Sequence, residues 1–297
     1  MLEEVESLMY NYVAEVDPFA LELYEKLSSG KRLRAKLILK IASNSEDAVK
    51  LAAVIELIHA ASLLHDDVID EAVTRRGTPS INATYDSKTA VMLGDILYSK
   101  AFYELNDFSD FIACKISDAV TKLSAGELLD VIYSDSLQLD EEKYFDMIYK
   151  KTAVLIEATA ACAASLSGKD SDFYAVYGKN LGLAFQIIDD VLDITSDSQK
   201  LGKPALADFK EGKCTLPYIY LYKSLNESDK KILSSLYKKE LNDDEAKWIK
   251  LKMRESGAVL KSIELARKLG YEALEAIKED KSEDLEKVIK DMIEREF

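Results

Sequence analysis

The sequence contains few residues that interrupt helices or crosslink a chain. Its 297 residues include only 4 prolines and 11 glycines, while 48% of them are hydrophobic. The three cysteines, Cys114, Cys162 and Cys214, are too few and too widely spaced for a disulfide framework, a zinc site or a redox pair. We therefore expect reduced core thiols in a cytoplasmic protein that folds around its own hydrophobic core.

Signal sequences and membrane spans are also lacking. The amino terminus is acidic and has no basic region of the kind that starts a secretory signal. The two most apolar stretches, 51–64 and 153–166, are interrupted by Glu56 and Glu157, so neither resembles a spanning run of about 20 apolar residues. The sequence predicts no transmembrane segment.

Positive charge is scarce. Fifty-four acidic residues against 39 lysines and arginines give a net charge of −15, which argues against nucleic acid and anionic membranes as partners. A phosphate-bearing ligand therefore needs a local basic site. Four of the few arginines form two short clusters, Arg32 with Arg34 and Arg75 with Arg76. Arginine presents a planar fork that suits phosphate oxygens.

Apolar residues recur with helical spacing almost throughout, and no strand pattern competes with them. The predicted helices are Leu2–Val16, Lys31–Ser43, Asp47–Asp70, Lys88–Leu105, Asp107–Tyr133, Glu141–Ser167, Phe173–Thr195, Thr215–Ser224, Glu227–Tyr237, Asp243–Glu255, Ala258–Ile277 and Ser282–Glu294. Linkers, repeats and low-complexity segments are missing, so we expect one all-α domain over residues 1–297. Its last third, from about residue 226, is interpreted as supporting helices.

Two clusters share the pattern Asp-Asp-x-x-Asp. They are Asp66, Asp67 and Asp70 in the first cluster, and Asp189, Asp190 and Asp193 in the second. Residues four apart share a helix face, so the outer members of each cluster project together. Such hard oxygen ligands suit magnesium, which completes its shell with water and substrate phosphates. Either cluster alone is also typical of a solvated helix end, but identical spacing within strongly apolar sequence argues against this for the pair.

Basic residues near the clusters complete a candidate polyphosphate site. Lys31 and Arg34 lie three apart at the predicted start of a helix, where the dipole attracts anions. Arg75 and Arg76 follow the first Asp cluster and could reach metal-bound phosphate, although a basic pair in a turn is often only a solvated surface. His59 lies two turns before Asp66 on the same face, although a lone histidine among apolar residues is usually a core group.

Four further residues are candidates of lower specificity. Lys203 and Lys213 flank the segment after the second Asp cluster, where lysine could act as a mobile charge on a leaving diphosphate. Gln186 lies one turn before Asp189. From the residues alone, Lys151 and Thr152 are interpreted as an ordinary helix exterior.

The ordered set of motifs closely resembles the trans-polyprenyl diphosphate synthases, particularly the long-chain bacterial type represented by octaprenyl diphosphate synthase. The resemblance runs from about residue 30 to residue 217. It rests on Gly-Lys-Arg-Leu-Arg at 30–34, Leu-Leu-His-Asp-Asp-Val-Ile-Asp at 63–70, Arg-Arg-Gly at 75–77, Gly-Asp at 94–95, Lys-Thr at 151–152, Phe-Gln-Ile-Ile-Asp-Asp-Val-Leu-Asp at 185–193, Leu-Gly-Lys-Pro at 201–204 and Glu-Gly-Lys-Cys-Thr-Leu-Pro at 211–217.

The resemblance implies an isoprenoid synthase-like bundle of long, mostly antiparallel helices around a central apolar cavity, and a homodimer. It also implies a role for each matching residue. Isopentenyl diphosphate would be bound by Lys31, Arg34, His59 and Arg76. The allylic substrate, such as farnesyl diphosphate, would be bound by Arg75, Lys151, Thr152, Gln186 and Lys203, and Lys213 would be the second loop lysine. Mg²⁺ would be bound principally by Asp66, Asp70 and Asp189, with Asp67, Asp190 and Asp193 acting partly through water.

The implied reaction is ionisation of the allylic diphosphate, condensation and proton elimination, without a protein nucleophile or general base. In this family the growing tail passes the residues four and five positions before the first Asp, here Ser62 and Ala61, and short-chain members carry aromatic residues there. Two small residues imply a long product, octaprenyl as the best single value. The alternatives are a geranylgeranyl or other shorter-chain synthase, a class I terpene cyclase, and a catalytically silent helical partner subunit.

Three positions depart from the family pattern. Ala35 replaces a frequent proline, Ser29 replaces a frequent glycine, and Leu206 stands where glycine is common. Since leucine does not readily take the place of glycine where φ must be positive, Leu206 puts the conformation of the closing loop in question.

Overall fold

The computed structural model describes residues 1–43, 45–195, 206–280 and 282–293, which are predominantly helical. Its helices are α1 Leu2–Ala14, α2 Pro18–Tyr24, α3 Leu33–Ile41, α4 Glu46–Ile69, α5 Ile81–Thr84, α6 Ser87–Glu104, α7 Asp110–Tyr133, α8 Glu141–Ile148, α9 Val154–Leu166, α10 Ser171–Thr195, α11 Ala207–Lys210, α12 Leu216–Ser224, α13 Glu227–Leu236, α14 Asp243–Ser256, α15 Ala258–Ala276 and α16 Glu283–Ile293. The predicted all-α class is confirmed.

Several predicted boundaries need correction. The predicted helix Glu141–Ser167 is interrupted by a π-helical segment, Tyr149–Ala153, and a short 3₁₀ helix, Leu105–Asp107, follows α6. Two-residue strands, β1 Thr74–Arg75 and β2 Thr78–Pro79, pair antiparallel after α4. Propensity did not predict them because the turn, rather than any alternating pattern, forms the hairpin.

The chain divides into two compact units. Unit 1 comprises Met1–Val120 and Ala158–Ala175, and unit 2 comprises Thr121–Glu157 and Val176–Phe297. Each unit is described separately below.

Helix α4 is the core of unit 1 and packs against α1, α3 and α6. It is capped at its amino end by Ser45, whose hydroxyl accepts the backbone N–H of Ala48 at 3.1 Å. Every side chain from Leu51 to Ile58 is buried, so the helix is covered on all sides. Among the described residues, α4 is the helix long and apolar enough to cross a membrane, with a mean hydropathy of 1.5 over its most apolar window. Two thirds of that window is buried, as expected for the core helix of a soluble fold.

Unit 2 has an apolar cluster around α12, which packs against α8, α14 and α15. At its centre the rings of Phe209 and Tyr218 stack with their centroids 4.4 Å apart. Leu221 of α12 and Met253 of α14 are also buried there. The supporting role predicted for the last third of the chain therefore has a physical basis in unit 2.

The three cysteines are free, but they are not all core residues. Cys162 is buried and Cys214 is half-buried, and burial raises the pKa of each thiol to about 12. Cys114 is exposed on α7, so the expectation of a core thiol was wrong there. The sequence pattern of this long helix did not indicate whether Cys114 faces the core or the solvent.

Leu206 adopts the left-handed conformation that sequence reasoning associated with glycine, with φ 64° and ψ 25°. Its backbone N–H donates to the carbonyl oxygen of Asp193 at 2.9 Å, and its side chain is buried in the cluster of unit 2. The left-handed conformation costs about 1–2 kcal/mol for a residue with a Cβ. Burial of a leucine side chain contributes about 1.5–3 kcal/mol, which offsets that cost.

Replacing Leu206 with glycine is expected to destabilise the protein no more than replacing it with alanine. Both substitutions remove the buried side chain, but alanine keeps the left-handed strain of about 1–2 kcal/mol while glycine relieves it. At Leu221, which is buried in helix α12, glycine should instead be worse than alanine by about 1 kcal/mol. Urea unfolding of the four variants tests this, and the same glycine penalty at both positions would contradict it.

Candidate active site

The segment before α3 does not have the predicted helical geometry. Helix α3 begins at Leu33, and Arg32 precedes it with φ 49°. The prediction that Lys31 starts the helix was therefore wrong, and Lys31 is an exposed residue before the first turn. In this conformation the guanidinium of Arg32 pairs with the carboxylates of Glu6 and Glu56, at 3.3 and 3.5 Å.

Glu56 occupies the anion position at the start of α3. This carboxylate projects from α4, is buried, and accepts the backbone N–H of Ala35 at 3.0 Å. The positive end of the α3 dipole is thus already paired with a carboxylate of unit 1. The predicted attraction between this helix end and a diphosphate must therefore come from the neighbouring arginine side chains rather than from the dipole.

Arg34, His59 and Arg76 form a basic cluster in unit 1. The Nε atom of Arg34 is shielded from solvent and has no hydrogen-bond partner among the described residues. The guanidinium of Arg76 lies against Gly30, where a methyl group would come within 2.7 Å of its Nη1 atom. Burial lowers the pKa of His59 well below its ordinary value, and the positive charges of Arg34 and Arg76 lower it further. Both effects favour the neutral form of the His59 imidazole.

The first Asp cluster contains two kinds of carboxylate. Asp67 is buried, its Oδ1 accepts a hydrogen bond from Nε of Arg75 at 2.7 Å, and the same oxygen is ion-paired with Nη2 of Arg75 at 2.7 Å. Burial raises the pKa of Asp67, and the positive charge of Arg75 opposes that rise. Asp66 is half-buried, and Asp70, at the end of α4, is exposed. The structure thus couples Asp67 to Arg75, while Asp66 and Asp70 are less buried than Asp67.

The second Asp cluster is similarly divided, although its three residues have identical spacing. Asp189 is exposed, whereas Asp190 and Asp193 are buried. An Oδ2 atom of Asp193 accepts the backbone N–H of Asp208 at 3.3 Å. Asp189 and Asp193 share a face of α10 as predicted, but only Asp193 is buried and bonded to the backbone of α11.

Asp190 is held by two donors of unit 2. The hydroxyl of Tyr144 donates to its Oδ2 at 2.6 Å, and the amide of Gln186 donates to its Oδ1 at 2.9 Å. Burial raises the pKa of Asp190 well above its ordinary value, and the charge of Asp208 adds to this rise. The hydrogen bonds from Tyr144 and Gln186 offset part of it.

Lys151 and Thr152 lie in the π-helical segment between α8 and α9. A methyl group at Gly126 would clash with the backbone nitrogen of Lys151, and one at Gly182 would come within 2.5 Å of the Cα of Ala153. Two neighbouring helices therefore reach the widened turn only because they carry glycine there. In this position the hydroxyl of Thr152 donates to Oε1 of Gln186 at 2.7 Å.

The interpretation of Lys151 as an ordinary helix exterior was wrong. Its ammonium contacts the carboxylates of Asp130 at 2.5 Å and Glu127 at 2.9 Å. Burial disfavours the charged form, but the two carboxylates outweigh it and raise the pKa of Lys151 above the ordinary lysine value. Lys213 pairs with Glu211 at 2.9 Å. The predicted site residue Lys203 lies outside the described residues.

Sequence reasoning did not assign roles to Glu56, Glu127, Asp130 and Tyr144. Glu56 left one signal, because it is the only acidic residue in the mostly apolar stretch 51–64 of α4. The other three left none, since their partners lie 21 to 46 residues away along the chain. Such pairings depend on tertiary contacts that no local spacing records.

Comparison with known proteins identifies the family. Residues 19–252 match the sequence model of the polyprenyl synthetase family. The chain belongs to the polyprenyl synthetase family. Its fold is similar to that of octaprenyl pyrophosphate synthase from Helicobacter pylori, with 42% identity, a TM-score of 0.94, and a match covering 99% of this chain and 98% of the other.

Two other polyprenyl synthetase relatives differ in their named products. The short chain isoprenyl diphosphate synthase of Methanothermobacter thermautotrophicus is 38% identical over 221 residues, covering 70% of this chain and 68% of the relative. The geranylgeranyl diphosphate synthase of Sulfolobus acidocaldarius is 35% identical over 267 residues, covering 82% and 80%. This polyprenyl synthetase is therefore a prenyltransferase that makes a prenyl diphosphate, as the sequence predicted.

Proposed function

We propose that this prenyltransferase extends an allylic diphosphate by repeated condensation with isopentenyl diphosphate, giving a long-chain, all-trans polyprenyl diphosphate. The observation that carries the proposal is the basic cluster of unit 1. The Nε atom of Arg34 is shielded from solvent, lacks a hydrogen-bond partner among the described residues, and belongs to the same cluster as Arg76. In a protein whose net charge is −15, such a local positive site is suited to bind an anion. This cluster would bind the diphosphate of isopentenyl diphosphate, with Lys31 and His59 beside it.

The exposed and half-buried carboxylates fit magnesium. Among the described residues, no three His, Cys, Asp or Glu side chains form a ready-made metal group. Magnesium ordinarily takes only one or two carboxylates and fills its shell with water and phosphate oxygens, so this arrangement is suitable. Asp66, Asp70 and Asp189 would be the ligands, and Asp67, Asp190 and Asp193 would act through water or through their protein partners. When bound, magnesium neutralises charge on the departing diphosphate.

The other residues of unit 2 would bind the allylic substrate and protect its cation. Lys151, with Lys203 and Lys213, would stabilise the negative charge that develops on the leaving diphosphate. The oxygens of Thr152 and Gln186 and the backbone carbonyl of Lys151 would face the allylic carbon. The double bond of isopentenyl diphosphate would attack that carbon, and the released diphosphate would accept the proton that is lost.

The proposed product is long because the two tail-facing positions carry small side chains. Ala61 is buried, and Ser62 is half-buried with its hydroxyl donating to the carbonyl oxygen of His59 at 2.9 Å. Octaprenyl diphosphate is the best single value, within a range of about six to ten units in which each unit spans roughly one helical turn. Geranylgeranyl diphosphate is the alternative, because one relative carries that name.

We also propose a homodimer, as the family resemblance implies. Light scattering on the purified protein at its working concentration is expected to give twice the mass of 33.3 kDa. A monomeric mass under conditions of full activity would contradict the dimer without affecting the proposed reaction.

A product assay tests the proposed reaction. The protein is incubated with magnesium, isopentenyl diphosphate and farnesyl diphosphate, and the products are separated by chromatography. We expect elongated polyprenyl diphosphates, and no product after removal of divalent metal with a chelator. A cyclised hydrocarbon would instead indicate a class I terpene cyclase, and unchanged substrates would indicate a silent partner subunit.

A further inference from the structure

The amide of Gln186 is bonded at both of its ends within unit 2. Its Oε1 accepts from the Thr152 hydroxyl at 2.7 Å, and its Nε2 donates to Asp190 at 2.9 Å. The other oxygen of Asp190 accepts from the Tyr144 hydroxyl at 2.6 Å. These three hydrogen bonds form one continuous network from α8, through α10, to the π-helical segment.

The direction of each hydrogen bond in this network follows from Tyr144. Its side chain is buried, and its hydroxyl lies 2.6 Å from Oδ2 of Asp190, a carboxylate oxygen that accepts hydrogen bonds. The hydroxyl hydrogen is therefore directed to Asp190. Asp190 can then accept the NH₂ group of Gln186, which places the carbonyl oxygen of that amide on the side of Thr152. If the amide turned over, an NH₂ group would face Thr152.

We propose that Tyr144 is a positioning residue for the prenyl transfer, acting through Asp190 to fix the orientation of the Gln186 amide. The inference rests on the proposed function, in which the oxygens of Gln186 and Thr152 face the allylic cation. A carbonyl oxygen carries partial negative charge and stabilises a cation, whereas an NH₂ group carries partial positive charge and opposes it. Correct orientation of one amide therefore affects the ionisation step.

Substitution of Tyr144 by phenylalanine tests the kinetic part of the proposal. This variant keeps the buried ring and removes only the hydroxyl. We expect kcat with farnesyl diphosphate to fall about tenfold, the effect of one hydrogen bond to a charged group. The KM for isopentenyl diphosphate should stay within about twofold, because the basic cluster of unit 1 is unchanged.

A double-mutant cycle separates positioning from a general structural effect. In a Gln186→Ala background, Tyr144→Phe should cause less than about a twofold further loss, because the group that it positions is already absent. Equal tenfold losses in both backgrounds would overturn the proposal. Unchanged kcat in the single variant would overturn it as well.

Tyr177→Phe is the matched control. Tyr177 is also fully buried in unit 2, and its hydroxyl donates to the carbonyl oxygen of Leu285 at 3.0 Å, outside the hydrogen-bond network of Gln186. The two phenylalanine substitutions should lower the melting temperature by similar amounts, but only Tyr144→Phe should lower kcat. A comparable loss of turnover in Tyr177→Phe would assign the effect to stability and overturn the proposal.

A measurement without turnover distinguishes this inference from the proposed function. The chain has only three glutamines, Gln138, Gln186 and Gln199, so selective ¹⁵N labelling gives three side-chain amide signals. Gln186→Ala identifies the relevant one. Its hydrogen exchange should be slow in the unmodified protein and in Tyr177→Phe, and at least tenfold faster in Tyr144→Phe. Unchanged exchange overturns the inference even if the protein elongates substrate, whereas absent elongation contradicts only the proposed function.

Discussion

Replacing Asp66 or Asp189 with alanine is expected to lower turnover by about 1000-fold while leaving the fold intact. Each residue offers a carboxylate that is not fully buried, so its removal leaves no cavity in the core. Metal-assisted neutralisation of a leaving group is worth several kcal/mol, and about 4 kcal/mol corresponds to 1000-fold. Steady-state rates at saturating substrates, measured over a range of magnesium concentrations, check the prediction.

The same helices supply controls for these variants. Asp47 is exposed in the first turn of α4, and Asp172 is exposed in the first turn of α10. Alanine at either position removes one aspartate from the same helix but should change turnover by less than about twofold, the range of an ordinary surface substitution. If Asp66→Ala or Asp189→Ala retained full activity with an unchanged magnesium requirement, the assignment of metal ligands would fail.

Replacing Ser62 with phenylalanine is expected to stop elongation near three or four isoprene units. The ring would fill space beside α4 that a longer tail must cross, and one unit is about as long as one helical turn of roughly 5 Å. Ser62 is half-buried, so a larger side chain can be accommodated there. Ala61→Phe should shorten the product too, but Ala61 is fully buried, and overpacking costs about 1–3 kcal/mol.

Ser62→Thr is the control for chain length. Threonine keeps a small side chain and the hydroxyl that bonds to the carbonyl oxygen of His59, so the product distribution should not change. Reversed-phase chromatography of the dephosphorylated products distinguishes the variants. An unchanged distribution for both Ser62→Phe and Ala61→Phe would show that the tail does not follow this face of α4.

The helices were predictable, and the site residues could be proposed, because both rest on local signals. Few glycines and prolines interrupt the apolar periodicity, and the two Asp clusters repeat one spacing. The left-handed backbone of Arg32 was not predictable, and its side chain pairs with Glu6, which lies 26 residues earlier and outside any local pattern. The π-helical segment was not predictable either, since it depends on glycines of two other helices, Gly126 and Gly182.

The two Asp clusters have identical spacing, but tertiary contacts give their carboxylates different exposure. The sequence gives Asp189 and Asp193 the same pattern as Asp66 and Asp70. Asp193 nevertheless bonds to the backbone of Asp208 and is buried, whereas Asp70 ends its helix and is exposed. Spacing predicts which residues share a helix face, but the segments that cover this face determine which carboxylates remain accessible.

The buried, span-like helix α4 affects how the protein can be synthesised. Its partners α1 and α3 precede it, but α6 is complete only at Glu104, 35 residues after α4 ends at Ile69. At about 5–20 residues per second, the ribosome needs roughly 2–7 s to make that segment. During this interval the nascent chain exposes a helix whose composition resembles a membrane segment. Glu56, a carboxylate near its middle, is costly to place inside a bilayer, so the residue that pairs with Arg32 in the folded protein also disfavours insertion of the unfinished chain.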